Sequence, residues 1–221
     1  MKIAFLGDSI TAGAGAGKYE NSYVSKVGEI LGCEVENFGV GGTRIAPQRS
    51  VSDDPRWDEH FMIRARKMQE ADRVFVFGGT NDYGHGDAPL GEFGDEGEDT
   101  FFGAFFCLAK YLSEKYGAEK ICFILPIPRY NMSSIYGSGE RKAGDARFAN
   151  CELHTLSVYI DAEIKILNQL NIDYMDISEY LPEPMTNGES ELFIDGLHPN
   201  DKGHLIIAER ICEYVKSKAQ K

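Results

Sequence analysis

Five short strand-like runs punctuate this chain, at Lys2–Leu6, Glu34–Phe38, Arg73–Phe77, Lys120–Leu125 and Ile172–Ile177. Between them lie stretches whose apolar residues recur at helical spacing, which places helices at Tyr23–Leu31, Asp58–Gln69, Thr100–Lys115, Phe148–Leu170 and Lys202–Lys216. In the last of these, Leu205, Ile206, Ala208 and Ile211 stand beside Glu209 and Arg210, giving one apolar and one charged face. A strand followed each time by a helix returns by a crossover, so the strands run parallel with helices on both faces of the sheet. The 221 residues are read as one α/β domain, 1–221.

Composition removes several function classes. The formal net charge of −12 opposes a phosphate backbone, whose affinity comes from Lys and Arg displacing counterions, so nucleic acid is not an expected partner. No apolar stretch approaches the roughly 20 residues of a membrane span. Ile3-Ala4-Phe5-Leu6 falls short of the roughly 7–15 apolar residues of a secretory signal. A cytoplasmic protein is expected, with export left open should a leader have been trimmed. Cys33, Cys107, Cys122, Cys151 and Cys212 contain no Cys-x-x-Cys pair and read as free thiols. The acidic Glu92–Asp99 lacks EF-hand spacing, and no metal is assigned.

Chemistry enters at the ends of the strands. Gly7-Asp8-Ser9-Ile10 follows the first apolar run, delivering Ser9 at a carboxyl edge where open α/β sheets bind ligands. A serine hydroxyl needs a base, a group orienting that base, and donors for the oxyanion. Asp195-Gly196-Leu197-His198, just before the final helix, supplies a carboxylate and an imidazole three residues apart. Gly78-Gly79-Thr80-Asn81 follows the third run and offers the Asn81 amide. Gly39-Val40-Gly41-Gly42-Thr43 follows the second, where Gly42 can present a backbone N–H. His60, His85, His154 and His204 read as structural.

These four blocks, in this order, resemble the SGNH hydrolases, also called the GDSL esterase/lipase family, over almost the whole chain. Where that family usually has Ser-Gly in its second block, this sequence has Gly41-Gly42. The resemblance implies a three-layer α/β/α sandwich, flavodoxin-like, whose five-stranded parallel sheet has order 2-1-3-4-5. It implies a catalytic Ser9, Asp195 and His198, an oxyanion hole of Ser9, Gly42 and Asn81, and no metal or organic cofactor. The expected activity is a serine esterase working through an acyl-enzyme on small acyl groups, such as acetyl on carbohydrate or another small molecule. A lysophospholipase or thioesterase of the same family, or a non-catalytic carbohydrate-binding protein on this fold, are the alternatives.

Other motifs fail on register. A phosphate loop around Gly13-Ala14-Gly15-Ala16-Gly17-Lys18 would need Gly at 12 and Ser or Thr at 19, where Ala12 and Tyr19 stand. A dinucleotide fingerprint from Gly39 and Gly41 would need a glycine where Arg44 stands, and Gly137-Ser138-Gly139 lacks the nucleophile-elbow spacing. Two long connections, Tyr83–Asp99 and Pro126–Arg147, follow strands and are expected to shape the substrate site through Tyr83, Arg129 and Tyr130, with Tyr136 also available. Phe101, Phe102, Phe105 and Phe106 are read as core, with a homo-oligomer left open.

A histidine base must be neutral to accept the serine proton, so ester turnover is predicted to rise with pH from the acid side. A flat rate profile between about pH 5 and 8 would exclude such a base.

Overall fold

The computed structural model describes residues 1–52, 54–129, 154–182 and 190–219. The strands are β1 (Lys2–Gly7), β2 (Glu34–Gly39), β3 (Arg73–Phe77), β4 (Ile121–Ile124) and β5 (Asp173–Met175). They form an all-parallel sheet of order 2-1-3-4-5. In register, Gly7 lies beside Gly39 on one side and Phe77 on the other. The carboxyl ends of β1, β2 and β3 therefore open side by side.

Because strand side chains alternate, each central strand feeds two cores. Ile3, Phe5, Phe75, Phe77, Cys122 and Ile124 point to one, covered by α2 (Tyr23–Leu31) and α7 (Asp201–Ala219). Ala4, Leu6, Val74, Val76, Ile121 and Phe123 point to the other, covered by α3 (Phe61–Lys67), α5 (Phe101–Tyr116) and α6 (Leu156–Leu170). Phe101, Phe102 and Phe105 are buried in this second core and Phe106 packs against it, as expected. No helix among the described residues is long and apolar enough to cross a membrane.

Local sequence explains where helices start and stop. Ser22 caps α2 by accepting from Ser25 N–H, and Gly32 ends it at φ 59°. Thr100 caps α5 by accepting from Gly103 N–H. Asn171 closes α6 in the left-handed conformation that asparagine tolerates, at φ 52°.

Several expected boundaries move. The helix expected over Asp58–Gln69 shortens to α3, Phe61–Lys67, because Asp58 ends a 3₁₀ turn (Pro55–Asp58) in which the Asp54 carboxylate captures Arg56 N–H, and Phe61 N–H donates to Arg44 O at 3.0 Å. Gly117 and a 3₁₀ turn at Ala118–Lys120 delay β4 to Ile121. The expected loop from Tyr83 is in part helix: α4 (Thr80–His85) starts from Gly79, whose φ of 95° turns the chain sharply out of β3. Of the helix expected over Phe148–Leu170, the part before His154 lies outside the described residues, as does Cys151. Cys33, Cys107, Cys122 and Cys212 are free thiols, the last two buried.

Phe5 stacks on Phe75 at 5.5 Å and meets the edge of Tyr23 at 5.6 Å. Phe5→Ala is expected to cost about 3–5 kcal/mol in urea unfolding. Tyr19→Ala, at an exposed position, should change stability by no more than about 0.5 kcal/mol.

Candidate active site

β1 delivers Ser9 directly into a one-turn helix, α1 (Ser9–Ala12). Asp8 is 2% exposed and caps this turn, its Oδ1 accepting from Ile10 N–H at 3.0 Å. Burial raises the Asp8 carboxyl to about 6, against the opposing pull of that N–H and of the nearby His198, Arg64 and Arg129 charges. As the first residue of α1, Ser9 has no intrahelical acceptor for its own N–H.

His198 reaches Ser9 from the far end of the chain, with Nε2 2.9 Å from Ser9 Oγ. The turn bearing it is closed by a Phe193–Pro199 bridge, by Ile194 N–H donating to His198 O at 3.0 Å, and by Gly196 at φ 78°. Asp195 serves both the turn and the ring. Its Oδ1 accepts from Leu197 N–H at 3.0 Å and His198 N–H at 2.7 Å, while Oδ2 lies 2.6 Å from His198 Nδ1. Partial burial alone would raise the Asp195 carboxyl, but the His198 side-chain and backbone hydrogen bonds outweigh it and hold the group at about 2. A carboxylate facing Nδ1 keeps the ring proton there and leaves the Nε2 lone pair toward Ser9.

Three contacts dock this turn onto the segment after Ser9. Gly15 has φ 94°, and a Cβ there would overlap Pro199 O and come 3.1 Å from His198 Cβ. Asp201, at the start of α7, accepts from Gly17 N–H and from the Asn21 amide, each at 2.7 Å. His204 is fully buried; its Nδ1 accepts from Tyr23 N–H at 3.2 Å and its Nε2 donates to Ala14 O at 3.0 Å. Burial lowers its pKa, so the neutral ring that both bonds require is the favoured form. The Gly-Ala repeat that fails as a phosphate loop is thus the strip on which the His198 turn lies.

The opposite wall comes from the second and third glycine-rich blocks. Val40-Gly41-Gly42-Thr43 forms a turn closed by Thr43 N–H to Val40 O at 3.4 Å, and Gly42 takes its third position at φ 76°, where glycine is required. The Gly42 N–H has no acceptor among the described residues. A Cβ on Gly41 would sit 3.6 Å from Ser9 Cβ, so the turn lies against the serine. Asn81, on α4 and 4% exposed, donates one amide hydrogen to Thr43 O at 2.9 Å, which fixes the amide and leaves its second hydrogen.

Sequence reasoning passed over Arg64, which ties these pieces together. It is 3% exposed, and its guanidinium donates to the Gly7 and Phe38 carbonyls and to Thr43 Oγ1, while Nε donates to Glu59 O. The signal was present: Phe61, Arg64 and Ala65 share one stripe of α3, so Arg64 stands in an apolar face. Burial lowers its pKa to about 10, still well above neutrality, with Asp8 and Glu59 opposing the shift.

Tyr83 and Arg129 come together, though not as loop residues on the surface. Tyr83 is helical and 4% exposed, with Arg129 5.7 Å above its ring. Arg129, 7% exposed, donates to Thr80 O and Oγ1 at 3.1 Å. Both line a cavity of about 400 Å³ with Pro126, Leu156, Ile160 and Asp176. Tyr130 and Tyr136 lie outside the described residues, as does Gly137-Ser138-Gly139.

Residues 5–206 match the model of the GDSL-like lipase/acylhydrolase family. The fold is similar to a solved protein from Lactobacillus plantarum, 26% identical, with a TM-score of 0.77 over 98% of this chain and 96% of that one. A possible lipase from Chitinophaga pinensis is 21% identical, with a TM-score of 0.70 over 100% and 99% of the two chains. A carbohydrate acetylesterase family member from Sinorhizobium meliloti is 15% identical, with a TM-score of 0.61 over the same shares. At the last two identities the likeness is one of fold. No curated protein sequence matches.

Replacing Gly15 by valine displaces the Pro199 carbonyl and with it the imbedded register of His198 on Ser9. Ester turnover by Gly15→Val should fall on the order of 10²-fold in kcat, with KM changed much less. Equal kcat for variant and wild type in steady-state assays would show that the docking strip does not set the imidazole's position.

Proposed function

The chain belongs to the GDSL-like lipase/acylhydrolase family, and from that membership we propose a serine esterase in which Ser9 attacks the ester carbonyl and His198 is its base. The observation that carries this reading is the line from Asp195 Oδ2 to His198 Nδ1 at 2.6 Å and from His198 Nε2 to Ser9 Oγ at 2.9 Å. Ser9 Oγ forms the new C–O bond as its proton passes to Nε2, leaving a tetrahedral oxyanion and an imidazolium. Asp195, held at about 2, stays charged throughout and stabilises that imidazolium.

The oxyanion is assigned to the Ser9 N–H, the Gly42 N–H and the second hydrogen of the Asn81 amide. Donors fixed before reaction stabilise charge without reorganisation. Thr43 supports this twice, closing the Gly42 turn through its N–H and anchoring Asn81 through its carbonyl. Collapse of the intermediate breaks the bond to the alcohol, which leaves with the proton from Nε2. Water deprotonated by the same nitrogen then releases the acid from Ser9.

For substrate we propose small acyl groups, acetyl foremost, on carbohydrate or another small molecule. The Tyr83–Arg129 cavity is lined by none of Ser9, Gly42, Asn81 and His198, and the acyl assignment does not rest on it. The carbohydrate acetylesterase family member from Sinorhizobium meliloti shares the fold.

Ser9→Ala should reduce hydrolysis of aryl acetate by at least roughly 10³-fold with little change in thermal unfolding. Near-normal hydrolysis by that variant would overturn the nucleophile. Across aryl esters of increasing acyl length, acetate should give the highest kcat/KM, and preference for long chains would overturn the acyl assignment.

A further inference from the structure

The segment between β2 and α3 has little regular structure, yet buried charges fix it in place. Asp82 accepts from Ile45 N–H at 3.0 Å and Ala46 N–H at 2.9 Å; Asp87 accepts from Arg49 N–H and Ser50 N–H, each at 2.8 Å. Both carboxylates are 4% exposed. Arg44, 2% exposed, reaches His85 Nδ1 and Ser52 Oγ at 2.7 Å and lies 3.7 Å from Asp58. Buried charges persist only when compensated in good geometry, and here the compensation pins the segment to α4 through Asp82 and His85, and to Asp87 just beyond that helix.

What this framework presents is Trp57, the one tryptophan in the chain. It is half-buried, and its indole lies directly against Gly42, where an added Cβ would meet Trp57 Nε1 first and come 2.5 Å from Cδ1. The other side of the same turn faces Ser9, through Gly41. Two glycines are therefore all that separates the indole from the serine. His85 backs the indole, ring centres 5.3 Å apart and tilted 47°. No acceptor among the described residues meets the Trp57 Nε1–H.

We propose that Trp57 determines specificity for the alcohol half of the ester, and that this alcohol is a neutral sugar. The proposal rests on Ser9 being the esterase nucleophile. An indole offers an apolar face and one donor, which suits a ring whose C–H faces stack while a hydroxyl accepts from Nε1–H. The groups around it, Ser52, Asp58, His85 and the inward-turned Arg44, are polar and do not form the apolar tunnel that an acyl chain or lipid would occupy. Asp54 and Asp58 beside it are paired with Arg56 and Arg44, and it is the chain's overall net charge of −12 that disfavours an anionic alcohol. Because the backing ring and the loop are already fixed, little side-chain freedom is lost on binding.

The test compares wild type, Trp57→Ala and Trp57→Phe on an acetylated methyl glycoside and on ethyl acetate, which has no ring. Wild type should prefer the glycoside. Trp57→Ala should lose roughly tenfold or more in kcat/KM on the glycoside, mainly through KM, while its ethyl acetate rate stays within about twofold. Trp57→Phe keeps a ring but removes the N–H, and should recover part of the glycoside loss; it decides the matter alone where the alanine variant does not fold. Equal losses on both substrates, or a wild type without preference for the glycoside, would overturn the proposal. Ethyl acetate hydrolysis that survives Ser9→Ala would instead overturn the nucleophile beneath it, a separate outcome.

Discussion

The structure turns on a contact made by a missing side chain. His198 can lie within hydrogen-bond reach of Ser9 because Gly15 lets the Pro199 carbonyl settle where any Cβ would stand. From that contact α7 runs back over the sheet, with Asp201 and His204 bonded to the same strip and the Tyr23 ring stacked 6.1 Å from His204. Tyr23 OH in turn meets Thr11 Oγ1 at 2.8 Å inside α1. The packing of α2 and α7 and the geometry at Ser9 are consequently one problem, solved by the same residues.

The other half of the site is organised by charges placed where apolar residues would be expected. Arg64 replaces an apolar side chain in the stripe of α3 and satisfies the carbonyls at the ends of β1 and β2. Asp82 does the same for the N–H groups of Ile45 and Ala46. Its burial raises its pKa to about 6 despite those bonds and the Arg44 charge. Buried Glu163, pushed up by desolvation and by Asp82, has a side-chain oxygen against Gly79 at the entry to α4. These groups cost stability in isolation. Together they replace the secondary structure that the glycine-rich turns cannot form, and they hold Gly42 and Asn81 in fixed relation to Ser9.

How much of this was legible in the sequence follows from the range of each interaction. The continuous apolar run Ile3-Ala4-Phe5-Leu6 already reads as a strand buried on both faces, and the sheet sends its alternate residues into the two cores. Ser9, Asn81, Asp195 and His198 stood out because each closes a short block after a strand or before a helix. Arg64 and His204 did not, since a lone charge or imidazole in a helix shows its role only through partners that are remote in sequence. The short helix α4 was hidden for a similar reason: Gly84 and Gly86 look like loop punctuation, while the carboxylate that anchors the helix bonds to residues near position 45. Trp57 stands in a polar stretch and gains a place near the site only when the fold lays it against Gly42.

Covalent trapping tests the central claim most directly. The protein would be treated with an alkyl fluorophosphonate, which transfers phosphorus to an activated serine and halts there, and the labelled peptide mapped by mass spectrometry. The account predicts a single adduct on Ser9, formed in step with loss of esterase activity and abolished by His198→Ala. An adduct on another serine, or activity lost with Ser9 unmodified, would contradict it.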